Sequence, residues 1–388
     1  MVQLSSEIRE IQSQARLWRR ELHAHPEVGF EEHRTAAFVA NVLTTLGLTV
    51  STGIAKTGVV GTLCCGSRQR SIGLRADMDA LPIPEEGTSE WRSTVPRVFH
   101  GCGHDGHTAT LLAAASAIKQ RARFDGTIHF IFQPAEEGLG GGRAMLDEGL
   151  FERFPCDAIY GMHNWPGAPL GTIGTRVGPF MAGSAQIDIE VEGKGGHAGL
   201  PQHCVDPVYA ATLLVQSLQG LVSRNADPTR PAVLSLTRIH AGDAYNVIPA
   251  VAHIGGGMRY VYPDDSRRLA ARLREIASGV ARVTGARIEV TIKPLFPVLV
   301  NDGECVQRAV DVATAFVGAN NVQRDYGPLM GSDDFAWMLQ RKPGCYLLLG
   351  SGDAAHTHMP HHPCYDFNDD LLPIAAEYWM RLAEALLG

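Results

Sequence analysis

Two adjacent carboxylates, Glu136 and Glu137, follow the apolar run Thr127-Ile-His-Phe-Ile-Phe-Gln133 across a Pro-Ala hinge. Gly101-Cys-Gly-His-Asp105 lies upstream and Gly161-Met-His-Asn164 downstream. Each segment puts a metal-capable side chain at or near the end of a predicted strand, where open α/β sheets build their sites. Cys102 and His104 are two residues apart, and in an extended loop such residues point the same way, so both can reach one cation. Thiolate and imidazole suit soft or borderline divalent ions. Of the two glutamates, which point apart at a strand end, one can bind metal while the other takes a proton from water. A charged helix start is the plain alternative.

His163 closes the run Asp157-Ala-Ile-Tyr-Gly-Met-His, a place that also suits a hydrogen-bonded edge histidine. Near the C-terminus, His356, His358, His361 and His362 fall within seven residues, a density that predicts at least one ligand. Taken together, the four segments imply one shared site, and five ligands with an open water position suit two metals about 3.5–4 Å apart. Asp77 and Asp79 end another predicted strand and could ligate metal or orient a ligating imidazole. The loop Gly193-Lys-Gly-Gly-His197-Ala-Gly199 lacks the Gly-Lys-Ser/Thr of a phosphate loop and reads as a hairpin turn or a presented histidine. Asn246 precedes a strand leading to Arg259, which could clamp a carboxylate through two parallel hydrogen bonds or be an ordinary surface arginine.

The elements that must position these residues follow from periodicity. Helices are predicted near 5–23, 32–46 and 108–119, and strands at 58–64, 71–75, 127–133 and 157–162. This alternation implies a mostly parallel sheet with helices on both faces, an α/β class. From Met181 the texture changes to β-α-β-β-α-β, the ferredoxin-like unit: a strand at 186–191, a helix at 207–222, strands at 232–239 and 251–258, a helix at 265–283 and a strand at 287–292. After Pro294 the α/β texture returns, with helices near 304–317, 333–339 and 369–387 and a strand at 345–349. The expectation is a domain of residues 1–180 and 295–388 interrupted by a smaller one, 181–294.

Composition narrows the function. A net charge of −7 over 388 residues gives no basic footprint for nucleic acid. No apolar run approaches the roughly 20 residues of a membrane span. Eight cysteines scattered through a long chain read as reduced thiols, and the expected compartment is the cytoplasm.

Six segments, in order, resemble one family: Arg20-Glu-Leu-His-Ala-His-Pro-Glu-Val-Gly-Phe-Glu31, Arg75-Ala-Asp-Met-Asp-Ala-Leu-Pro82, His100-Gly-Cys-Gly-His-Asp-Gly-His107, Phe132-Gln-Pro-Ala-Glu-Glu-Gly138, Gly161-Met-His-Asn-Trp-Pro166 and Tyr365-Asp-Phe-Asn-Asp369. It is the dinuclear metallo-aminoacylase and carboxypeptidase family, in the branch of hippurate hydrolase, N-acyl-amino-acid amidohydrolase and auxin-conjugate hydrolase. The resemblance implies two divalent ions (Mn²⁺, Zn²⁺ or Co²⁺) held by Cys102, His104, Glu137, His163 and His361, the last standing two residues before Pro363. It implies Glu136 as general base, Asp79 as an orienting residue and His197 over the substrate carbonyl, with Asn246 and Arg259 on the amino-acid part. The implied substrate is a small N-acyl or N-aroyl amino acid. The 181–294 insert is implied to be a lid that can mediate a homodimer or tetramer. Departures from the family pattern occur at Leu200-Pro-Gln-His203, Gly256-Gly-Met-Arg259 and Gly331-Ser-Asp-Asp-Phe335, and none touches an implied ligand.

Overall fold

The computed structural model describes residues 2–388. The chain forms two compact units: one of residues up to Gly178 with Val300–Gly327 and Asp334–Gly388, the other of Pro179–Leu299 with Pro328–Asp333. Among the described residues no helix is long and apolar enough to cross a membrane.

The first unit is built on an eight-stranded sheet in the order Thr49–Ile54, Gly58–Cys65, Gly126–Gln133, Ser71–Asp77, Ala158–Pro169, Gly344–Gly352, Ile173–Gly174, Val322–Gln323. The four central strands, Gly126–Gln133 to Gly344–Gly352, run parallel to one another. The Thr49–Ile54 and Gly58–Cys65 hairpin adds antiparallel at one side, and Ile173–Gly174 pairs antiparallel to Gly344–Gly352 at the other. The central strands are buried along nearly their whole length, which is why they read as unbroken apolar runs. Because they are parallel, Asp77, Gln133 and the segment around His163 leave the same edge of the sheet, with Asp77 opposite Gln133 and His163 opposite Leu348. Thr49–Ile54 was not legible as a strand, because only Ile54 of it is buried and it carries no apolar period.

Helix His104–Arg121 packs on the sheet and against the helices Ser6–Ala24 and Leu371–Leu387. It is buried on all sides from His104 to Ala115, so its Ala/Leu-rich face has no polar counterpart. It starts four residues before the predicted Thr108. Gly103 caps it in the left-handed region at φ 90°, and Cys102 and His104 therefore flank a helix start instead of lying on an extended loop. A side chain at 103 would meet Asn164 Oδ1 at 2.5 Å and the Tyr365 hydroxyl at 2.6 Å. One turn on, a Cβ at Gly106 would overlap the Phe367 ring.

The second unit carries a four-stranded antiparallel sheet in the order Ala232–Ala241, Val251–Tyr260, Gly183–Glu192, Arg287–Phe296. Helices Pro207–Asn225 and Pro263–Thr284 supply the two crossovers. Gly183–Glu192 alternates buried and exposed residues, as a sheet covered on one face requires. Its core gathers Ile187, Ile189, Val191, Leu214, Leu218, Leu269 and Leu273. A separate two-residue ladder pairs Gly196–His197 with Val247–Ile248.

Candidate metal centre

Six of the expected site residues of the first unit meet at the shared edge of the parallel strands. Donor atoms of Cys102, His104 and His163 lie within 4.8 Å of one another, as do those of Cys102, Glu137 and His361, and of His104, Glu136 and Glu137. Cys102 and His104 arrive from the start of helix His104–Arg121, His163 from the strand Ala158–Pro169 and the glutamates from the turn after Gly126–Gln133. That turn is set by Ala135 in the left-handed region, φ 53°, whose N–H donates to the buried Glu32 carboxylate at 2.8 Å. His361 also has a left-handed backbone, φ 71°. For a non-glycine residue this costs about 1–2 kcal/mol.

The ring orientations are fixed from behind. His163 donates Nδ1–H to the Asn164 carbonyl at 2.7 Å, so its Nε2 lone pair faces the Cys102 thiol, 3.3 Å away. His104 Nδ1 sits 3.2 Å from Asp79 Oδ1, and the other Asp79 oxygen accepts the Glu137 N–H at 2.9 Å. Asp79, fully buried, thus orients one imidazole and one glutamate together. His104 Nε2 then points at Glu137 Oε1, 4.0 Å off, and both atoms are buried without a hydrogen-bond partner. His361 Nε2 approaches the same Glu137 oxygen at 3.2 Å. His104 Nε2 and His361 Nε2 thus converge on one Glu137 oxygen, and a cation among these three atoms would replace the proton that they otherwise share. The donor set of thiol, imidazoles and carboxylates fits a divalent ion.

Burial and then the Glu137 and Glu136 carboxylates push the Cys102 thiol well above its usual range, so only a nearby cation would make it a thiolate. Burial opposes protonation of His104, but Asp77 and the Asp79 hydrogen bond outweigh it and raise the ring to about 10, so a cation on Nε2 would take the place of a proton there. Burial followed by the His107 charge lowers His163 to about 3, leaving it neutral and available as a ligand. Glu136, 6 % exposed, accepts the Asp334 N–H on Oε1 at 3.3 Å.

Sequence reasoning left His107 without a role. It spans Asp77 (2.6 Å) and Asn164 (2.7 Å), and Asn164 in turn donates to the Tyr365 hydroxyl at 2.7 Å. The signal was present: His104 and His107 are three apart at the start of one helix and therefore share a face. The remaining expected residues lie in the second unit. His197 pairs with Val247 on the short ladder, and Ala198 N–H donates to the Asn246 carbonyl at 3.0 Å, which makes His197 and Asn246 neighbours. Arg259 donates from Nη1 to the Met330 carbonyl (2.8 Å) and to Ser332 Oγ (3.1 Å).

The chain is a metal-dependent amidohydrolase, as its family and its relatives show. The chain belongs to Peptidase family M20/M25/M40, which it matches over residues 73–385. It is 40% identical over 380 residues to hippurate hydrolase of Campylobacter jejuni, covering 98% of each protein. It is 37% identical over 371 residues to N-acetylcysteine deacetylase of Bacillus subtilis, covering 95% of this chain and 96% of that one. A crystal structure of a dinuclear metal binding peptidase from the same family, also from Bacillus subtilis, superposes with a TM-score of 0.85 at 32% identity, over 98% of this chain and 99% of the other.

Proposed function

We propose that this protein hydrolyses the amide bond of N-acyl or N-aroyl amino acids of the hippurate type, releasing a carboxylic acid and a free amino acid. The observation that carries the reading is the buried, unbridged approach of His104 Nε2 and Glu137 Oε1 inside a ring of Cys102, His163 and His361. The hippurate hydrolase relative supports the substrate class. Cys102, His104, Glu137, His163 and His361 would hold two divalent ions (Mn²⁺, Zn²⁺ or Co²⁺), a number supported by the dinuclear neighbour. Such ions supply Lewis acidity toward a carbonyl and acidify water.

The rest of the chemistry belongs to side chains of this chain. Glu136 takes the proton of the attacking water and returns it to the leaving amine. The Asp334 N–H on Oε1 holds that carboxylate in place. Asp79 keeps His104 and Glu137 in register. His197 donates to the carbonyl oxygen as charge develops there, Arg259 binds the substrate carboxylate with Nη1 pre-oriented by Met330 and Ser332, and Asn246 sits beside His197 on the same amino-acid part. Residues 1–180 with 295–388 would form the catalytic domain and 181–294 a lid that joins subunits into a dimer or tetramer. The separate core of the second unit supports that division. All eight cysteines are free, which supports a reducing, cytoplasmic setting.

The test is release of glycine from hippurate by the Mn²⁺-supplemented protein. No release from hippurate or from any member of a panel of acyl amino acids would refute the assignment. The deacetylase relative favours including N-acetylated amino acids in that panel. Turnover of those alone would move the reading to a deacetylase.

A further inference from the structure

The histidine tract near the C-terminus offers more ligands than the centre takes. His361 turns toward Glu137, but its neighbours form a group of their own. The rings of His358 and His362 stack with centroids 4.1 Å apart and planes 10° from parallel. Donor atoms of His358, His362 and Cys364 all lie within 4.8 Å of one another. Both histidines are exposed and the thiol is half-buried, so a hydrated ion can reach all three. The intervening segment is short and restrained. His362 N–H donates to the Met359 carbonyl at 3.2 Å, Tyr365 N–H to the His362 carbonyl at 2.9 Å, and Pro363 limits the backbone between His362 and Cys364. The Cys364 N–H donates to His362 Nδ1 at 3.0 Å, which ties that ring to the residue bearing the thiol.

We propose that His358, His362 and Cys364 form a third metal site, open to solvent, for a soft or borderline divalent cation. Two imidazoles and a thiolate suit Zn²⁺, and three protein ligands leave a fourth position for water or another small ligand. On binding, each histidine offers one neutral ring nitrogen and the Cys364 thiol releases its proton to solvent. The site stands independently of the assignment of the buried centre, since none of its three ligands is counted there. His361 sits between His358 and His362 in sequence, so a cation held at the rim also restrains the segment that carries His361.

The test uses the intact, metal-loaded protein with Zn²⁺ as the probe. After incubation with buffered Zn²⁺ and desalting, elemental analysis should find one more equivalent in the wild type than in Cys364→Ser or His358→Ala. Iodoacetamide alkylation mapped by mass spectrometry gives a second readout on the wild type alone. Zn²⁺ should slow modification of Cys364 by about tenfold or more, because the sulfur lone pair that would attack the reagent is then held by the cation. The exposed Cys64 serves as the internal control, with an unchanged rate. Equal Zn²⁺ content in wild type and both variants, or equal alkylation of Cys364 with and without Zn²⁺, would overturn the site.

Discussion

The backbone N–H of His361 donates to the carbonyl of Gly101 at 2.7 Å. This one bond joins the loop that ends in the histidine tract to the loop that opens on Cys102, across some 260 residues of sequence. It holds while His361 occupies a left-handed backbone conformation, which a histidine tolerates only under outside constraint. The conformation aims the ring at Glu137.

That strain separates two substitutions that remove the same imidazole. His361→Gly fits φ 71° without penalty, whereas His361→Ala keeps a Cβ there. In the presence of chelator, the glycine variant should unfold at a higher denaturant concentration than the alanine variant, by about 1 kcal/mol less the extra chain entropy of glycine. A glycine variant less stable than the alanine variant by the full entropic cost of glycine, about 0.5–1 kcal/mol, would show that the backbone there carries no strain.

Glu136→Gln keeps the shape of the side chain and its contact with the Asp334 N–H but abolishes its basicity. Turnover of hippurate should fall by about 10²–10⁴-fold with metal content unchanged. Full activity in this variant would remove Glu136 from the proton-transfer role.

Cys102→Ala acts on the other half of the site. It should lower bound metal, measured by elemental analysis after dialysis, and turnover should fall in proportion. Normal occupancy would strike Cys102 from the ligand set.

Asp79→Asn weakens the support of His104 and of the Glu137 N–H at once. Metal affinity measured by competition with a chromophoric chelator should drop by about 10–100-fold. A wild-type affinity would mean that both groups are oriented by something else.

Acid stability should report on Asp105. It is fully buried between Arg19 (Nε at 2.8 Å) and His23 (Nδ1 at 2.7 Å). Burial works to raise its pKa, but the Arg19 and His23 charges outweigh this and hold it far below the usual carboxylate range. The folded state therefore binds fewer protons than the unfolded one. The stabilisation is full above the unfolded pKa of about 3.9 and is lost as pH falls below it. Asp105→Asn should cost about 3–5 kcal/mol at pH 7, the typical cost of breaking a buried pair, and progressively less below pH ~4. A stability gap of the same size at pH 7 and pH 3 would contradict the linkage.

Much of this was legible in the sequence, for identifiable reasons. Buried parallel strands such as Gly126–Gln133 and Gly344–Gly352 announce themselves as apolar runs, and the βαββαβ order of the second unit follows from its alternation and helix periods. The residues expected in the buried cluster sit on strand ends and helix starts that such a sheet must bring together. What sequence concealed was local. A single left-handed glycine moved the start of helix His104–Arg121, so Cys102 and His104 converge for a reason other than the extended geometry expected of them. His107 was hidden because its partners Asp77 and Asn164 are close only in the folded sheet.

The missing side chain at Gly106 has a further meaning. The Phe367 ring occupies the space a methyl group would need, on the same C-terminal stretch that bears His361. Even alanine there would act as a wedge, pushing that stretch off the helix that starts at His104. Positions 106 and 367 are therefore tied: a larger residue at one can be admitted only with a smaller one at the other.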